Sequence, residues 1–334
     1  MKLFYPEYYR AFTCIAAACE DSCCKEWEVD VDAQSAAYYR QLPGELGQRL
    51  REVLRQEDGC TLMTIEDGRC PMWRQDGLCR IQAQYGHDAL CQTCRQYPRL
   101  RHEYGSFTEL DLELSCPEAA RLIFSGSQKI ITESVSGATA PEYDQAAMET
   151  LLRSRQEILT FLNSDTQPLP RQMAVLLLYA HSVQAELDGG NEAVFDPASA
   201  LEFLDNFTPE GQIAPIIDFY LGLEILTDRW KQRLMHHSTC LNWGNRLVRF
   251  LTYGIRRYWL QAVSDYDLIC RVKFLISACI LLCALGGDTV ATAQLWSKEI
   301  ENNPDNVDAL LDAAYCSPAF TDKNLLSILK NAMI

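Results

Sequence analysis

Ten of the fifteen cysteines lie between residues 14 and 116, and they are grouped rather than scattered. The groups are CIAAACEDSCC, CPMWRQDGLC, CQTC and SCPE, whereas Cys60 stands apart and is predicted to be structural. Thiolates bind zinc and iron–sulfur centres, and short spacings let one loop supply several ligands. This pattern predicts a metal-binding module in the first third of the chain.

The spacing of the first group is C-x4-C-x3-C-C. It differs from the C-x3-C-x2-C loop of radical S-adenosylmethionine chemistry, because Cys24 follows Cys23 directly and no cysteine stands at position 26. Only one C-x2-C pair is present, and neither His87 nor His102 stands in a ligand-like repeat. All-thiolate ligation favours a [4Fe–4S] cluster, and Zn²⁺ remains the alternative. One centre or two would both be compatible with the number of cysteines.

The charge balance restricts the choice of partners. Formal net charge is −15 in 334 residues, which argues against nucleic acid as the main partner. The longest apolar run, 274–285, is too short to cross a membrane, and the first residues lack the apolar core of a secretion signal. We therefore expect a cytoplasmic protein, where grouped cysteines are metal ligands or redox groups rather than disulfides.

The first 125 residues predict short strands and helices around the cysteines. EWEVDVD and SFTELDLELS alternate as strands do, and Pro117 suits the first turn of a helix. Residues 33–57 predict a helix with a break at Pro43-Gly44. Asp-Gly turns should bring Cys70 and Cys79 back towards the first group. Aromatic residues ahead of Cys14 are expected to shield whatever the cysteines bind.

The remainder predicts a helical array. The segment 125–141 is polar and predicts a linker, and apolar spacing then predicts successive helices. Their predicted ranges are 141–163, 168–189, 198–206, 212–236, 240–262, 265–285, 288–301, 305–315 and 321–332. The five later cysteines are expected to be buried on apolar helix faces. The fold class is therefore mainly α: a cysteine-rich metal-binding module with short strands at residues 1–125, packed on a helical array at 126–334.

No common catalytic motif is present. The sequence lacks G-x-G-x-x-G after a strand, a phosphate-binding P-loop, H-E-x-x-H and G-x-S-x-G. Aromatic and charged residues at 251–267 predict a packed helix pair with arginines reaching solvent, or else a pocket for a charged cofactor. Catalytic and cofactor-binding residues stay unassigned.

The chain resembles a known family at these residues. CPMW-x4-GLCRIQ-x2-YG and CQTCRQYPR are similar to a cysteine-cluster domain described as zinc- or iron-chelating. The longer frame, YPEYYRAFTC, CEDSCCKEWEVDVD and ELDLELSCPEAARLI ahead of a helical half, resembles the flagellin lysine-N-methylases (FliB-like). The resemblance covers the first 125 residues well and the rest loosely.

The resemblance implies transfer of methyl groups from S-adenosylmethionine to lysines of flagellin or a similar surface protein. It also implies an iron–sulfur cluster, although the reaction itself needs no metal. The implied metal ligands are Cys14, Cys19, Cys23, Cys24, Cys70, Cys79, Cys94 and Cys116, with Cys91 beside them. A non-catalytic zinc- or iron-chelating adaptor, or a redox-sensing module, is the alternative function.

Overall fold

The fold was obtained as a computed structural model that describes residues 1–137, 139–164, 166–241 and 243–332. Helices account for 56% of the chain and strands for 11%, so the prediction of a mainly α fold is confirmed. Across the described ranges, no helix combines the length and the apolar character that a membrane crossing requires.

Two small sheets lie in the amino-terminal part of the chain. The strands are β1 (Lys2–Pro6), β2 (Val29–Asp30), β3 (Leu54–Glu57), β4 (Cys60–Met63), β5 (Arg99–Glu103), β6 (Phe107–Leu112) and β7 (Ile130–Ser134). One sheet has the order β5-β6-β1-β7, in which β1 is parallel to β6 and antiparallel to β7. The other has the order β2-β4-β3 with antiparallel pairs.

Two predictions for these strands were wrong. The segment 125–141 was predicted as a linker, but it contains β7, which completes the first sheet beside β1. Residues 54–57 were predicted to end a helix, but they form β3 and pair with β4. Both segments are polar because their side chains are largely exposed at a sheet edge, and the strand is held by backbone hydrogen bonds to its neighbour.

Sixteen helices fill most of the rest of the described chain. They are α1 (Tyr8–Ala11), α2 (Ala33–Gln41), α3 (Gly44–Val53), α4 (Arg80–Tyr85), α5 (Gln92–Gln96), α6 (Pro117–Ser125), α7 (Gln145–Leu162), α8 (Leu169–Leu187), α9 (Pro197–Asn206), α10 (Ala214–Leu221), α11 (Asp228–Met235), α12 (Leu247–Tyr258), α13 (Ile269–Leu285), α14 (Thr289–Trp296), α15 (Pro304–Cys316) and α16 (Asp322–Asn331). A π-helical turn, Ser297–Glu301, extends α14.

Side-chain caps explain where several helices begin. Asp144 accepts hydrogen bonds from the first backbone amides of α7, and Thr227 and Asp288 do the same for α11 and α14. The cap at Thr227 also explains why the predicted helix 212–236 is in fact two helices, α10 and α11. The predicted break at Pro43-Gly44 and the start of α6 at Pro117 are confirmed.

The buried apolar residues form two clusters. The larger one extends from the four-stranded sheet through α6 to α16, and its centre is α13, in which 16 of 17 residues are buried. The smaller one lies between α2, α3 and the three-stranded sheet, with Tyr39 and Leu50 fully buried. Cys91 is part of this smaller cluster, and Cys70 and Cys79 pack against it. The division after residue 125 stays a prediction, although the four-stranded sheet continues past that point.

Candidate metal centre

The four cysteine groups are carried by loops and helix starts, with Cys70, Cys79 and Cys91 at the smaller apolar cluster and Cys116 at the larger one. Cys79, Cys91 and Cys116 each directly precede a helix, α4, α5 and α6 respectively. The backbone N–H of Cys70 donates to the carbonyl of Cys24 at 2.8 Å. This bond joins the second group to the first, as the Asp-Gly turns predicted. All fifteen cysteines are free thiols.

Two pairs of thiols are in direct contact. The Cys23 thiol hydrogen bonds to Cys24 and lowers the pKa of Cys24 to about 7. In the same way the Cys94 thiol lowers the pKa of Cys91 to about 7. Each pair therefore offers one thiolate near neutral pH, and the thiolate is the form that binds metals.

The other thiols lie within reach of these pairs. Burial, with smaller contributions from the charges of Cys24, Cys79 and Cys91, raises the pKa of Cys70 to about 12. Burial raises the pKa of Cys116 to about 11, with smaller contributions from Cys19 and Cys14. The charges of Cys23 and Cys24 also raise the pKa of Cys94, so the first and third groups are neighbours. These effects link the cysteine groups pairwise, and Cys60 is not among the groups that act on Cys70, Cys94 or Cys116.

This set fits a thiolate-bound metal in the chemistry of its donor atoms. Ionising several half-buried thiols together is unfavourable, and a bound cation would remove that penalty. Within the described ranges, however, no three His, Cys, Asp or Glu side chains converge closely enough to hold an ion. The thiols meet as pairs, so the assignment of individual ligands stays a prediction.

The aromatic residues beside the thiols are not those that were predicted. Tyr5, Tyr8 and Phe12 are buried, but Tyr8 and Phe12 belong to the larger apolar cluster. Tyr39 and Tyr97 lie near the cysteines instead: burial raises the pKa of both hydroxyls, and neighbouring thiols add to the shift. These tyrosines stand apart from any aromatic run, which is why the sequence pattern did not indicate them.

The later cysteines were predicted to be buried, and three of the five are. Cys270, Cys279 and Cys283 lie inside α13, whereas Cys240 and Cys316 are exposed. The prediction was wrong for those two because Cys240 lies in the loop before α12 and Cys316 is the last residue of α15.

A buried polar network connects the cysteine loops to the helical array. Lys298 donates to Asp21 and Glu26, which flank Cys23 and Cys24 in the sequence. Gln294 donates to Asp21 and to the carbonyl of Ser115, the residue before Cys116. Neither Lys298 nor Gln294 was predicted, because nothing in the pattern of a single polar residue in a helix indicates its partner.

The residues 251–267 build a second part of this network. Arg257 was predicted to reach solvent, but its side chain is only 11% exposed and lies 3.6 Å from Glu301. Tyr258 donates to the same carboxylate at 2.7 Å, and Arg257 donates to the Tyr253 hydroxyl at 2.6 Å. The prediction failed because the buried carboxylate that pairs with Arg257 lies 44 residues later in the chain.

A separate cleft of about 730 Å³ lies in the helical array. Its walls come from the start of α8 and from the segment before α12, and they include Trp243, Arg171 and Arg249. Among the described residues, Trp243 Nε1 and Arg171 Nε are buried donors without an acceptor. Such donors suit a ligand that carries hydrogen-bond acceptors.

Comparison with known proteins places the chain among its relatives. It is 26% identical to the lysine-N-methylase of Salmonella typhimurium, over 78% of this chain and 70% of that protein, and equally similar to the lysine-N-methylase of Salmonella choleraesuis. The chain is similar to the lysine-N-methylases. A flagellar biosynthetic protein FliU of Salmonella muenchen is 29% identical over 36% of the chain and 75% of its own length. No family model and no solved structure matches the sequence.

The resemblance to the lysine-N-methylases is thereby confirmed. With these relatives the shared region includes most of the helical half as well, because 78% of the chain is more than the cysteine-rich module alone.

Proposed function

We propose that this protein is a protein lysine N-methyltransferase that uses S-adenosylmethionine and acts on flagellin or a similar surface protein. The observation that carries the proposal is the similarity to two lysine-N-methylases over 78% of the chain. The flagellar name of the third relative supports a flagellar substrate. The net charge of −15 also favours the approach of a lysine-bearing surface.

The test of this function is mass spectrometry of flagellin incubated with the protein and S-adenosylmethionine. Mass increments of one methyl group on lysine residues are expected, and they should depend on both the protein and the methyl donor. Unmodified flagellin, with no S-adenosylmethionine binding in calorimetry, would favour the non-catalytic adaptor.

The cleft near Trp243 is our proposed site for S-adenosylmethionine. Its volume is in the range of small-molecule sites, and the ring of Trp243 offers a stacking surface for adenine. Arg171 Nε and the indole N–H are donors without an acceptor in the described residues, and a carboxylate or a purine nitrogen would supply one. The two terminal nitrogens of Arg171 are paired with Asp205. Trp243→Ala should abolish the heat of S-adenosylmethionine binding in calorimetry without changing the metal content of the protein. Unchanged affinity would place the cofactor elsewhere.

We propose that the ligands of a [4Fe–4S] cluster, four for each cluster, come from the nine grouped cysteines, with Zn²⁺ as the alternative metal. Such a cluster supplies a structural or redox-sensitive centre, because methyl transfer to an amine needs no metal. The support comes from the paired thiols and their mutual effect on pKa.

Elemental analysis of protein purified without oxygen tests this assignment. We expect iron, acid-labile sulfide and visible absorbance that dithionite bleaches. The Cys23→Ser variant should lose all three. Cys279→Ser is the matched control, because Cys279 is fully buried in α13 away from the cysteine loops. Stoichiometric zinc without iron would contradict the iron–sulfur assignment.

A further inference from the structure

Lys298 is a buried cation held entirely by residues of the cysteine loop. Its side chain is 1% exposed, and Nζ lies 2.8 Å from Asp21 Oδ1 and 2.6 Å from Glu26 Oε2. The same Nζ lies 5.0 Å from the centre of the Trp27 ring. An ammonium group with two carboxylates and an aromatic face has all its charge compensated locally.

The neighbouring turn of the helix strengthens this attachment. Gln294 Nε2 donates to Asp21 Oδ2 at 2.9 Å and to the carbonyl of Ser115 at 2.7 Å. Gln294 lies in α14 and Lys298 in the π-helical turn that extends it. One helical element therefore holds both the loop of Cys19 to Cys24 and the residue that precedes Cys116.

The backbone of the loop requires such an attachment. Glu26 has a φ of 75°, in the left-handed region that side chains other than glycine rarely adopt. A conformation of this kind persists only where the surroundings hold it. The ion pair with Lys298 holds Glu26 two residues after Cys24.

We propose that Lys298 is a positioning residue that holds the loop of residues 19–26 in the conformation in which its cysteines bind metal. The proposal rests on the proposed metal centre, but Lys298 itself contacts no cysteine. Without the cation, Asp21 and Glu26 would face each other as uncompensated carboxylates and turn to solvent, and the loop would open.

The test compares Lys298→Met with Lys273→Met. Lys273 is also a buried lysine, 9% exposed and paired with Asp322 at 3.0 Å, but it lies in α13, outside the cysteine loops of residues 14–116. Each variant removes one buried lysine charge that is paired with a carboxylate. Only Lys298→Met should lose iron, and its cluster absorbance should fall in proportion.

A second readout needs no metal. In metal-free protein under native conditions, maleimide labelling of the half-buried thiols of Cys19 and Cys24, mapped by mass spectrometry, should be about tenfold faster in Lys298→Met, since loss of one partner of a buried ion pair shifts an equilibrium by at least one factor of ten. Labelling in Lys273→Met should match the parent protein. Labelling separates the two proposals. If the parent protein is purified without metal, the proposed metal centre is contradicted, and the labelling experiment still tests whether Lys298 holds the loop.

Equal labelling and equal iron content in Lys298→Met and the parent would overturn the proposal, as would equal effects of the two lysine variants. If Lys298→Met does not fold, Asp21→Asn provides the milder change, because Glu26 still pairs with Lys298. It should accelerate labelling of the half-buried Cys24 by a smaller factor, and an unchanged rate there would also overturn the proposal.

Discussion

Asp111 is a carboxyl group inside the protein, on β6 beneath α1. The Tyr8 hydroxyl donates to Oδ1 at 2.6 Å, and the backbone N–H of Leu112 donates to the same oxygen at 2.8 Å. Burial nevertheless raises the pKa of Asp111 to about 6. Two hydrogen bonds therefore do not fully replace the water that this carboxylate loses.

The raised pKa predicts a dependence of stability on pH. The folded chain binds the Asp111 proton more tightly than the unfolded chain, whose pKa is about 3.9. The stabilisation is complete below about pH 4 and is lost as the pH rises to about 6. Asp111→Asn keeps both hydrogen bonds and has no such loss. The free energy of unfolding of Asp111→Asn minus that of the parent should be about 2–3 kcal/mol larger at pH 7 than at pH 4. Urea denaturation of both proteins at the two pH values is the measurement. An equal difference at both pH values would contradict this.

At the scale of elements, β7 shows how backbone pairing can override a polar sequence. Met1 and Val135 exchange two hydrogen bonds of 3.0 Å, and the Glu7 N–H donates to Lys129 at 2.9 Å. Hydrogen-bonded pairs recur at every second residue of an antiparallel ladder. The N–H of Ile131 and that of Glu133 therefore point to β1, while the N–H of Thr132 points away from it.

This alternation predicts that proline destabilises the strand at one position and is tolerated at the next. Ile131→Pro removes a donor to β1 and should lower the free energy of unfolding by about 1–3 kcal/mol relative to Ile131→Ala. Thr132→Pro is the matched control, since an edge strand tolerates proline where its N–H faces outward. Urea denaturation of the three variants is the measurement. Equal losses at both positions would show that β7 is not paired in this register.

At the scale of the whole molecule, the two apolar clusters differ in size and in what surrounds them. The larger one is built around α13, and the smaller one has 13 buried residues with half-buried Cys70 and Cys79 at its edge. A small core gives little stability by itself, so such modules commonly depend on a metal.

Removal of the metal should therefore loosen one part of the protein first. After treatment with an iron chelator, hydrogen–deuterium exchange should accelerate in peptides covering residues 14–30 and 64–97. Peptides from α8 and α13 should exchange as before and serve as the internal control, because these helices are buried in the larger cluster. Uniform acceleration along the chain would mean that the two clusters unfold as one unit.

The sequence alone determined the class of the protein. Helical spacing of apolar residues with proline and glycine at the boundaries predicted most of the helices, because these signals act within a few residues. The grouping of the cysteines predicted that they would come together, and the Cys70 to Cys24 hydrogen bond shows the second group beside the first. The frame of motifs around them predicted the relatives that were found.

Tertiary structure decided everything that depends on partners distant in the sequence. The segment of β7 became a strand only because β1 offered a free edge, and Arg257 is buried only because Glu301 lies opposite it. The same holds for Lys298, whose carboxylate partners lie more than 270 residues earlier in the chain. A short-range pattern specifies how a segment folds, but a buried charge is stable only where folding places its opposite beside it.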